Sequence, residues 1–349
     1  MLRDLGSRDE AFIRTVQEIR DGLLSVAEVE AGHYEAVPMQ GSGTFAIESV
    51  FSSCVPRDGT VLIVINGAYG KRMAQICEVL GIKTITLAVP EHSKLDAAAV
   101  QQSIADHPEI DLVAVVHCET TTGIFNPIEA IGEVVHASGK QYFVDAMSSF
   151  GAVPIDFAKA HIDYLVSSAN KCIEGVPGFA FAVARTEALK STEWYARSLS
   201  LDLLAQWRGL EKTGQFRFTP PTHALLAFHQ ALQELADEGG TVGRADRYRR
   251  NYETTLTGMS AIGFQAYLDP VDQGYIITSF RYPDHPSFSF EKFYNLLSEA
   301  GYVIYPGKVS DADCFRIGHI GRLFEADARA LVRAIAETLD TMNITLPKE

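Results

Sequence analysis

From Thr60 to Ala184 short apolar runs alternate with segments of helical spacing, and that order admits few folds. Thr60-Val61-Leu62-Ile63-Val64-Ile65 reads as a buried strand closed by Asn66-Gly67. Lys83 to Val89, Leu112 to His117, Gln141 to Asp145, Tyr164 to Ser167 and Phe179 to Ala184 read as further strands. Residues 69–80, Leu95 to Ala105 and Ile128 to Ala137 suit helices between them. Strands apolar on both faces and separated by helices predict a mainly parallel sheet covered on both sides. Ligands of such sheets gather at the carboxyl ends of the strands. Asn66-Gly67, Glu119-Thr120, Asp145 and Asn170-Lys171 all fall at predicted strand ends, so four polar clusters converge on one edge.

The flanks extend this α/β pattern. Ser7 and Glu10 have the spacing of a capping box, and Phe12, Val16, Ile19 and Leu23 then recur at helical spacing through about Val29. Beyond residue 186 helices are expected over 200–212, 221–238 and 242–260. A strand from Gly274 to Phe280, a helix over 290–300, strands near 302–305 and 313–317 and a final helix from Glu325 follow. The division expected is a large domain of residues 1–258, including the N-terminal helix, and a smaller C-terminal α/β domain of residues 259–349.

Composition narrows the function. With 349 residues, 47% of them hydrophobic, the chain can bury a large core without disulfide or metal staples. A net charge of −14 argues against a nucleic-acid partner. No apolar run is long enough for a membrane span, and the first residues lack the apolar stretch of a signal peptide. Cys54, Cys77, Cys118, Cys172 and Cys314 are odd in number and scattered, which suits reduced thiols and a cytoplasmic protein. No CxxC or HExxH motif suggests a metal, and His117 has no partner histidine nearby.

Several clusters could carry chemistry. Gly41-Ser42-Gly43-Thr44 precedes a helix-compatible run, and a helix start with glycines and hydroxyls can seat a phosphate; it can equally be a simple cap. Tyr69, at a strand-to-helix turn, can stack on a flat ring or merely pack on the sheet edge. His117-Cys118-Glu119-Thr120-Thr121-Thr122-Gly123 offers hydroxyls to a ligand or to its own turn. Asp145 ends a strand and suits either a cationic partner or an N-cap role. Lys171 ends the run Leu165-Val166-Ser167-Ser168-Ala169-Asn170-Lys171. A lysine and an aspartate at the ends of neighbouring strands can serve pyridoxal phosphate, the lysine as Schiff base and the acid beside the pyridinium nitrogen. A solvated loop lysine is the commoner case. Arg316, between apolar strand residues, suits gripping an anion or pairing with a structural acid.

Taken together, Gln40-Gly41-Ser42-Gly43-Thr44, Asn66-Gly67-Ala68-Tyr69-Gly70, the 117–123 run, Val144-Asp145-Ala146-Met147-Ser148-Ser149-Phe150-Gly151 and Phe315-Arg316-Ile317-Gly318-His319-Ile320-Gly321 resemble one family. It is the fold-type I pyridoxal phosphate-dependent aminotransferases of class V, and the resemblance covers essentially the whole chain. It lies in the branch acting on small substrates, nearest to members that use 2-aminoethylphosphonate and pyruvate. The resemblance implies a seven-stranded, mainly parallel sheet in the large domain and a homodimer. It implies that Lys171 holds pyridoxal 5'-phosphate, Asp145 pairs with its ring nitrogen and Tyr69 stacks on the ring. Ser42, Gly43 and Thr44 would hold the phosphate, joined by Thr219 of the other subunit. Thr120 or Thr122 would lie near the ring oxygen, and Arg316 would bind the anionic end of the substrate.

The reaction so implied converts 2-aminoethylphosphonate and pyruvate to phosphonoacetaldehyde and L-alanine, a step of phosphonate breakdown. Alanine–glyoxylate or serine–pyruvate transamination needs the same lysine, aspartate and arginine and stays open. A cysteine desulfurase-like lyase would want a reactive cysteine on a mobile loop, and none has that context. A scaffold without turnover is the alternative from another class. Family members usually open with an extended Thr-Pro-Gly-Pro segment lining the substrate entrance, whereas this sequence opens at Met1-Leu2-Arg3. That departure implies either an internal start or a truncated form with impaired turnover, the cofactor site being intact in both.

Overall fold

The computed structural model describes residues 4–307, 309 and 311–347, so the opening Met1-Leu2-Arg3 lies outside the described residues. The N-terminal half runs through α1 (Glu10–Val26), β1 (Tyr34–Gln40), α2 (Gly43–Cys54), β2 (Thr60–Ile65), α3 (Ala68–Val79), β3 (Lys83–Ala88), α4 (Ala97–Asp106) and β4 (Ile110–Val116). A hairpin of β5 (Cys118–Glu119) and β6 (Ile124–Phe125) leads to α5 (Ile128–Ala137), β7 (Gln141–Asp145), β8 (Tyr164–Ser168) and β9 (Phe179–Arg185). Helices α6 (Thr186–Lys190), α7 (Leu203–Thr213), α8 (Thr222–Asp237) and α9 (Gly240–Ala261) follow. The chain closes with β10 (Ile277–Arg281), α10 (Phe290–Glu299), β11 (Tyr305–Pro306), β12 (Cys314–Gly318) and α11 (Glu325–Thr341).

Seven strands form the main sheet in the order β1-β9-β8-β7-β4-β2-β3. Neighbours from β3 to β8 are parallel, and β9 alone runs against both of its neighbours. The sequence therefore predicts the sheet correctly as mainly parallel and seven-stranded. All six residues of β2 are buried, as a strand covered on both faces requires. Each such Val or Ile contributes ~1.5–3 kcal/mol by leaving water. The chain passes from β2 outward to β3, then returns to β4 on the other side of β2. That reversal leaves a crevice at the carboxyl ends of β2 and β4, where such sheets bind ligands.

One expectation at the N-terminus is corrected. The helix is capped by Asp9, whose Oδ1 accepts the Ala11 N–H at 2.8 Å, and not by a Ser7–Glu10 box. Aspartate caps as well as serine, and Asp9 stands two residues closer to the first apolar position. The 302–305 strand shrinks to Tyr305–Pro306, and the strand expected from Gly274 begins at Ile277. Among the described residues two large apolar cores occur beside two smaller clusters. One large core runs from Phe12 to Leu235 around the large sheet; the other gathers Met259, Phe280, Phe293, Phe315, Ile335 and Leu339 against the antiparallel sheet β10-β12-β11. Among the described residues no helix is long and apolar enough to cross a membrane.

Candidate active site

The carboxyl-end crevice holds a cavity of about 200 Å³. Ser42, Gly43, Thr44, Tyr69, Thr120, Asp145 and Lys171 all line it. Residues 129 positions apart in sequence, from Ser42 to Lys171, meet there because the carboxyl ends of β1, β2, β4, β7 and β8 share one edge. Two roomier cavities, of about 460 and 540 Å³, lie away from that edge and contain none of these residues. Size is a poorer guide here than the convergence of polar groups.

Ser42 is the N-cap residue of α2, yet its hydroxyl makes no cap hydrogen bond. The first N–H groups of α2 thus face the cavity without a side-chain acceptor, the arrangement that receives an anion. A Cβ on Gly43 would lie 2.3 Å from Met147 Sδ, so any larger residue would require the Met147 side chain to move.

Tyr69 stands in the first turn of α3, and Glu119 fixes that turn. Glu119 Oε2 accepts the Tyr69 N–H at 3.2 Å, and Oε1 accepts the Thr121 N–H at 3.2 Å. Thr121 Oγ1 in turn accepts the Ala68 N–H at 3.1 Å. A Cβ on Gly67 would fall 2.2 Å from the Glu119 carboxyl carbon, so glycine makes room for the carboxylate. Burial raises the Glu119 pKa, and the hydrogen bonds from Thr121 and Tyr69 oppose it.

Asp145 ends β7 and is 2% exposed. Its Oδ1 accepts the Met147 N–H at 2.8 Å. Burial pushes its pKa up to about 7; the Met147 hydrogen bond opposes this, nearby Glu119 adds to it, and Lys171 and Arg72 pull it back. Such a carboxyl is poised to ionise against a cationic N–H placed in the cavity. Lys171 supplies a primary amine in the same cavity.

Three expected site residues lie elsewhere. Thr122 is fully buried in the hairpin turn, where its Oγ1 accepts the Ile124 N–H at 3.4 Å, so of the two threonines only Thr120 lines the cavity. Thr219 is exposed ahead of α8, and its carbonyl accepts a hydrogen bond from Gln40 Nε2 at 3.3 Å. Arg316, on β12, stands behind the wall: Nη1 donates to the Thr120 carbonyl at 2.8 Å and Nε to the Pro306 carbonyl at 3.1 Å. It is 5% exposed, burial lowers its pKa, and it forms no ion pair among the described residues. A buried guanidinium held by neutral carbonyls keeps its charge for an anion.

Arg72 also lines the cavity and has no counterpart in the sequence reading. Its guanidinium lies over the Tyr69 ring at 5.0 Å. The signal was available, since Arg72 follows Tyr69 at i,i+3 on a helix and so shares its face. Ser148 and Asn170 are further lining residues without an earlier role. Burial lowers the His117 pKa to about 4, and its Nδ1 lies 2.9 Å from Ser149 Oγ. All five cysteines are free and buried, and burial raises each thiol pKa, which disfavours a reactive thiolate. Among the described residues no group of His, Cys, Asp or Glu is placed to hold a metal.

An open α/β sheet with a lysine, a near-neutral buried acid, a ring-bearing turn and an uncapped helix start at one edge marks a group-transfer enzyme of the kind the sequence resembles. The chain belongs to the class-V aminotransferases, whose family model matches residues 2–310. The 2-aminoethylphosphonate–pyruvate transaminase of Lysinibacillus sphaericus is 47% identical to it over 343 residues, spanning 98% of this chain and 93% of that one. The enzyme of the same name from Klebsiella pneumoniae subsp. pneumoniae is 51% identical over 328 residues, spanning 94% and 89%. Among solved structures, pyridoxamine–pyruvate aminotransferase from Mesorhizobium loti superposes with a TM-score of 0.88 at 24% identity, covering 98% of this chain and 88% of that one. Ureidoglycine–glyoxylate aminotransferase from Bacillus subtilis superposes at 0.89 and 22% identity, covering 99% and 89%. These two likenesses carry the fold, and they agree with the fold-type I expectation.

Proposed function

We propose that this chain is a pyridoxal phosphate-dependent transaminase that moves the amino group of 2-aminoethylphosphonate to pyruvate, giving phosphonoacetaldehyde and L-alanine. One observation carries the reading. In a chain about half identical to transaminases of that name, Lys171, Asp145 and the uncapped start of α2 line a single cavity. Class-V aminotransferases use pyridoxal phosphate in general, and the residues present fit it. Bound there, the cofactor supplies an electron sink that lets the carbon bearing the amino group lose a proton.

The chain's own residues do the rest. The α2 N–H groups with Ser42, Gly43 and Thr44 receive the phosphate. Asp145 would ionise against the ring N–H and keep that proton in place. Tyr69 would offer its face to the ring, and Thr120 would offer a hydroxyl to the ring oxygen. Thr122, implied alongside it, serves the hairpin turn. Lys171 Nζ would anchor the cofactor and, when free, would take the proton from the amine-bearing carbon of the donor. Arg316, set at the border of the cavity against Thr120 and the Tyr69 side chain, would receive the phosphonate of the donor and then the carboxylate of pyruvate.

Three further parts belong to this reading. The protein acts as a homodimer in which Thr219 of a second copy completes the phosphate seat, which accounts for an exposed Thr219 outside its own cavity. The large unit ends near residue 258 and the small one spans 259–349, supported by the two large cores. The compartment is the cytoplasm, in keeping with five unpaired cysteines.

The test is a half-reaction. Holoenzyme is mixed with 2-aminoethylphosphonate, alanine or serine, and loss of the yellow absorbance of the lysine-bound cofactor is followed. Bleaching by 2-aminoethylphosphonate and by alanine is expected. Bleaching by serine and alanine but not by the phosphonate would replace the donor with a carboxylate.

A further inference from the structure

The turn that carries Lys171 is held from outside itself. Within it the Glu174 N–H donates to the Lys171 carbonyl at 2.9 Å and the Gly175 N–H to that of Ala169 at 2.9 Å. Packing does not complete the job. A cavity of about 300 Å³, lined by Lys171, Glu174, Gly321 and Arg322 among others, adjoins the turn and shares Asn170 and Lys171 with the active-site cavity.

Glu174 has φ of +65°, a left-handed conformation that strains a residue with a Cβ and that glycine or asparagine adopts more readily. The strain is met by the grip on its carboxylate. Arg247 Nη2 donates to Glu174 Oε1 at 2.8 Å and the Tyr248 hydroxyl donates at 2.6 Å, while Arg244 Nη1 lies 3.5 Å away. All three come from α9. Arg244 also donates to the Cys172 carbonyl, and the Cys172 thiol donates to the Ser148 carbonyl at 3.2 Å. Glu238 balances both arginines, at 2.7 Å from Arg244 and 2.6 Å from Arg247. The same cluster reaches the small unit. The Gly321 N–H donates to the Tyr248 hydroxyl at 3.1 Å, and Arg247 donates to the Gly321 carbonyl. Gly321 follows closely on β12, which carries Arg316.

We infer that Glu174 is a positioning residue for the reaction: with Arg247 and Tyr248 it sets the turn that presents Lys171 to the cavity and ties that turn to the segment following Arg316. It does not line the cavity, so it acts through Lys171 and touches neither cofactor nor substrate. The inference rests on the function proposed above.

The test uses holoenzyme of the wild type, Glu174→Gln, Glu174→Gly and Arg247→Lys. Glutamine keeps the strained φ and loses only the charge, whereas glycine relieves the strain and loses the whole grip, so a larger loss with glycine reports the grip and not the strain. Both Glu174 variants should lower kcat ~tenfold or more, as displacement of a reacting group does, Gly more than Gln because the amide still accepts from Tyr248. KM for pyruvate should stay within about twofold, since no substrate contact is removed. The pH midpoint of the near-ultraviolet and visible band of the lysine-bound cofactor should shift as well. Arg247→Lys should move kcat and the band in the same direction, and it stands in should a Glu174 variant fail to fold. Wild-type kcat and an unmoved band in the folded variants, with only the thermal midpoint lowered, would overturn the inference. Absence of any such band in the wild type would overturn the cofactor reading beneath it.

Discussion

Asp145→Asn should make the cofactor-free protein more stable, and increasingly so as pH rises. The carboxyl is 2% exposed and its pKa is pushed from the ordinary 3.8 to about 7, chiefly by burial. Its charged form is thus disfavoured in the folded chain by ~4 kcal/mol relative to the unfolded one. The sign follows from linkage. Below about pH 3 both states carry the proton and the acid costs almost nothing; the penalty reaches roughly 2 kcal/mol by about pH 5 and ~4 kcal/mol above pH 7. Asparagine has no such slope and keeps an oxygen for the Met147 N–H. Urea unfolding of cofactor-free wild type and Asp145→Asn, at one protein concentration from about pH 3 to 8, measures the difference directly. It should grow with pH, from near zero to as much as ~4 kcal/mol in favour of the variant. A difference that stays flat with pH, or a variant less stable at pH 8, would refute the reasoning. The same substitution should weaken cofactor binding and slow turnover, because a neutral amide cannot hold a ring N–H as a carboxylate does. Stability gained where function is lost is the signature expected of a site that holds an unpaired buried acid for a ligand.

Lys171→Ala should abolish the near-ultraviolet and visible absorbance of the lysine-bound cofactor, and an unchanged spectrum would remove Lys171 from the role. Arg316→Lys loses the planar fork and should raise KM for donor and acceptor about tenfold or more while cofactor affinity changes little; equal kinetics with both substrates would remove Arg316 from the site. Gly43→Ala puts a Cβ 2.3 Å from Met147 Sδ and should lower the thermal midpoint, consistent with ~1–3 kcal/mol of overpacking, and loosen the cofactor; a fully wild-type dissociation constant would show that α2 does not seat the phosphate. Thr219→Ala should weaken cofactor binding although Thr219 lies outside its own chain's cavity, and an unchanged affinity would exclude it from the phosphate seat.

Much of the sheet was legible because its strands are apolar on both faces. In β2 and β7 the pattern of Val, Ile and Phe marks the strand, and the polar residue after it marks the end. Lys171, Asp145, Tyr69 and the Ser42–Thr44 turn could be singled out for that reason, each at the end of an element. Thr120 and Thr122 could not be separated, since two hydroxyls two residues apart look alike until the hairpin turn assigns one to the Ile124 N–H. Arg72 and Glu119 were missed as participants because a helix-face arginine and a strand-end glutamate are ordinary in sequence. Their meaning lies in what they face: the Tyr69 ring for one and the first turn of α3 for the other.

By itself the sequence determined the α/β class, the strand ends and the residue types that chemistry could use there, because burial and turn requirements are local and leave a pattern along the chain. Only the tertiary structure decided which of those ends meet. It placed Arg316 behind Thr120 rather than in the cavity, left Thr219 outside it, and set Lys171 in a turn gripped from α9 through Glu174. Those outcomes depend on strand order and on contacts between residues far apart in the chain, and no spacing along the sequence encodes them.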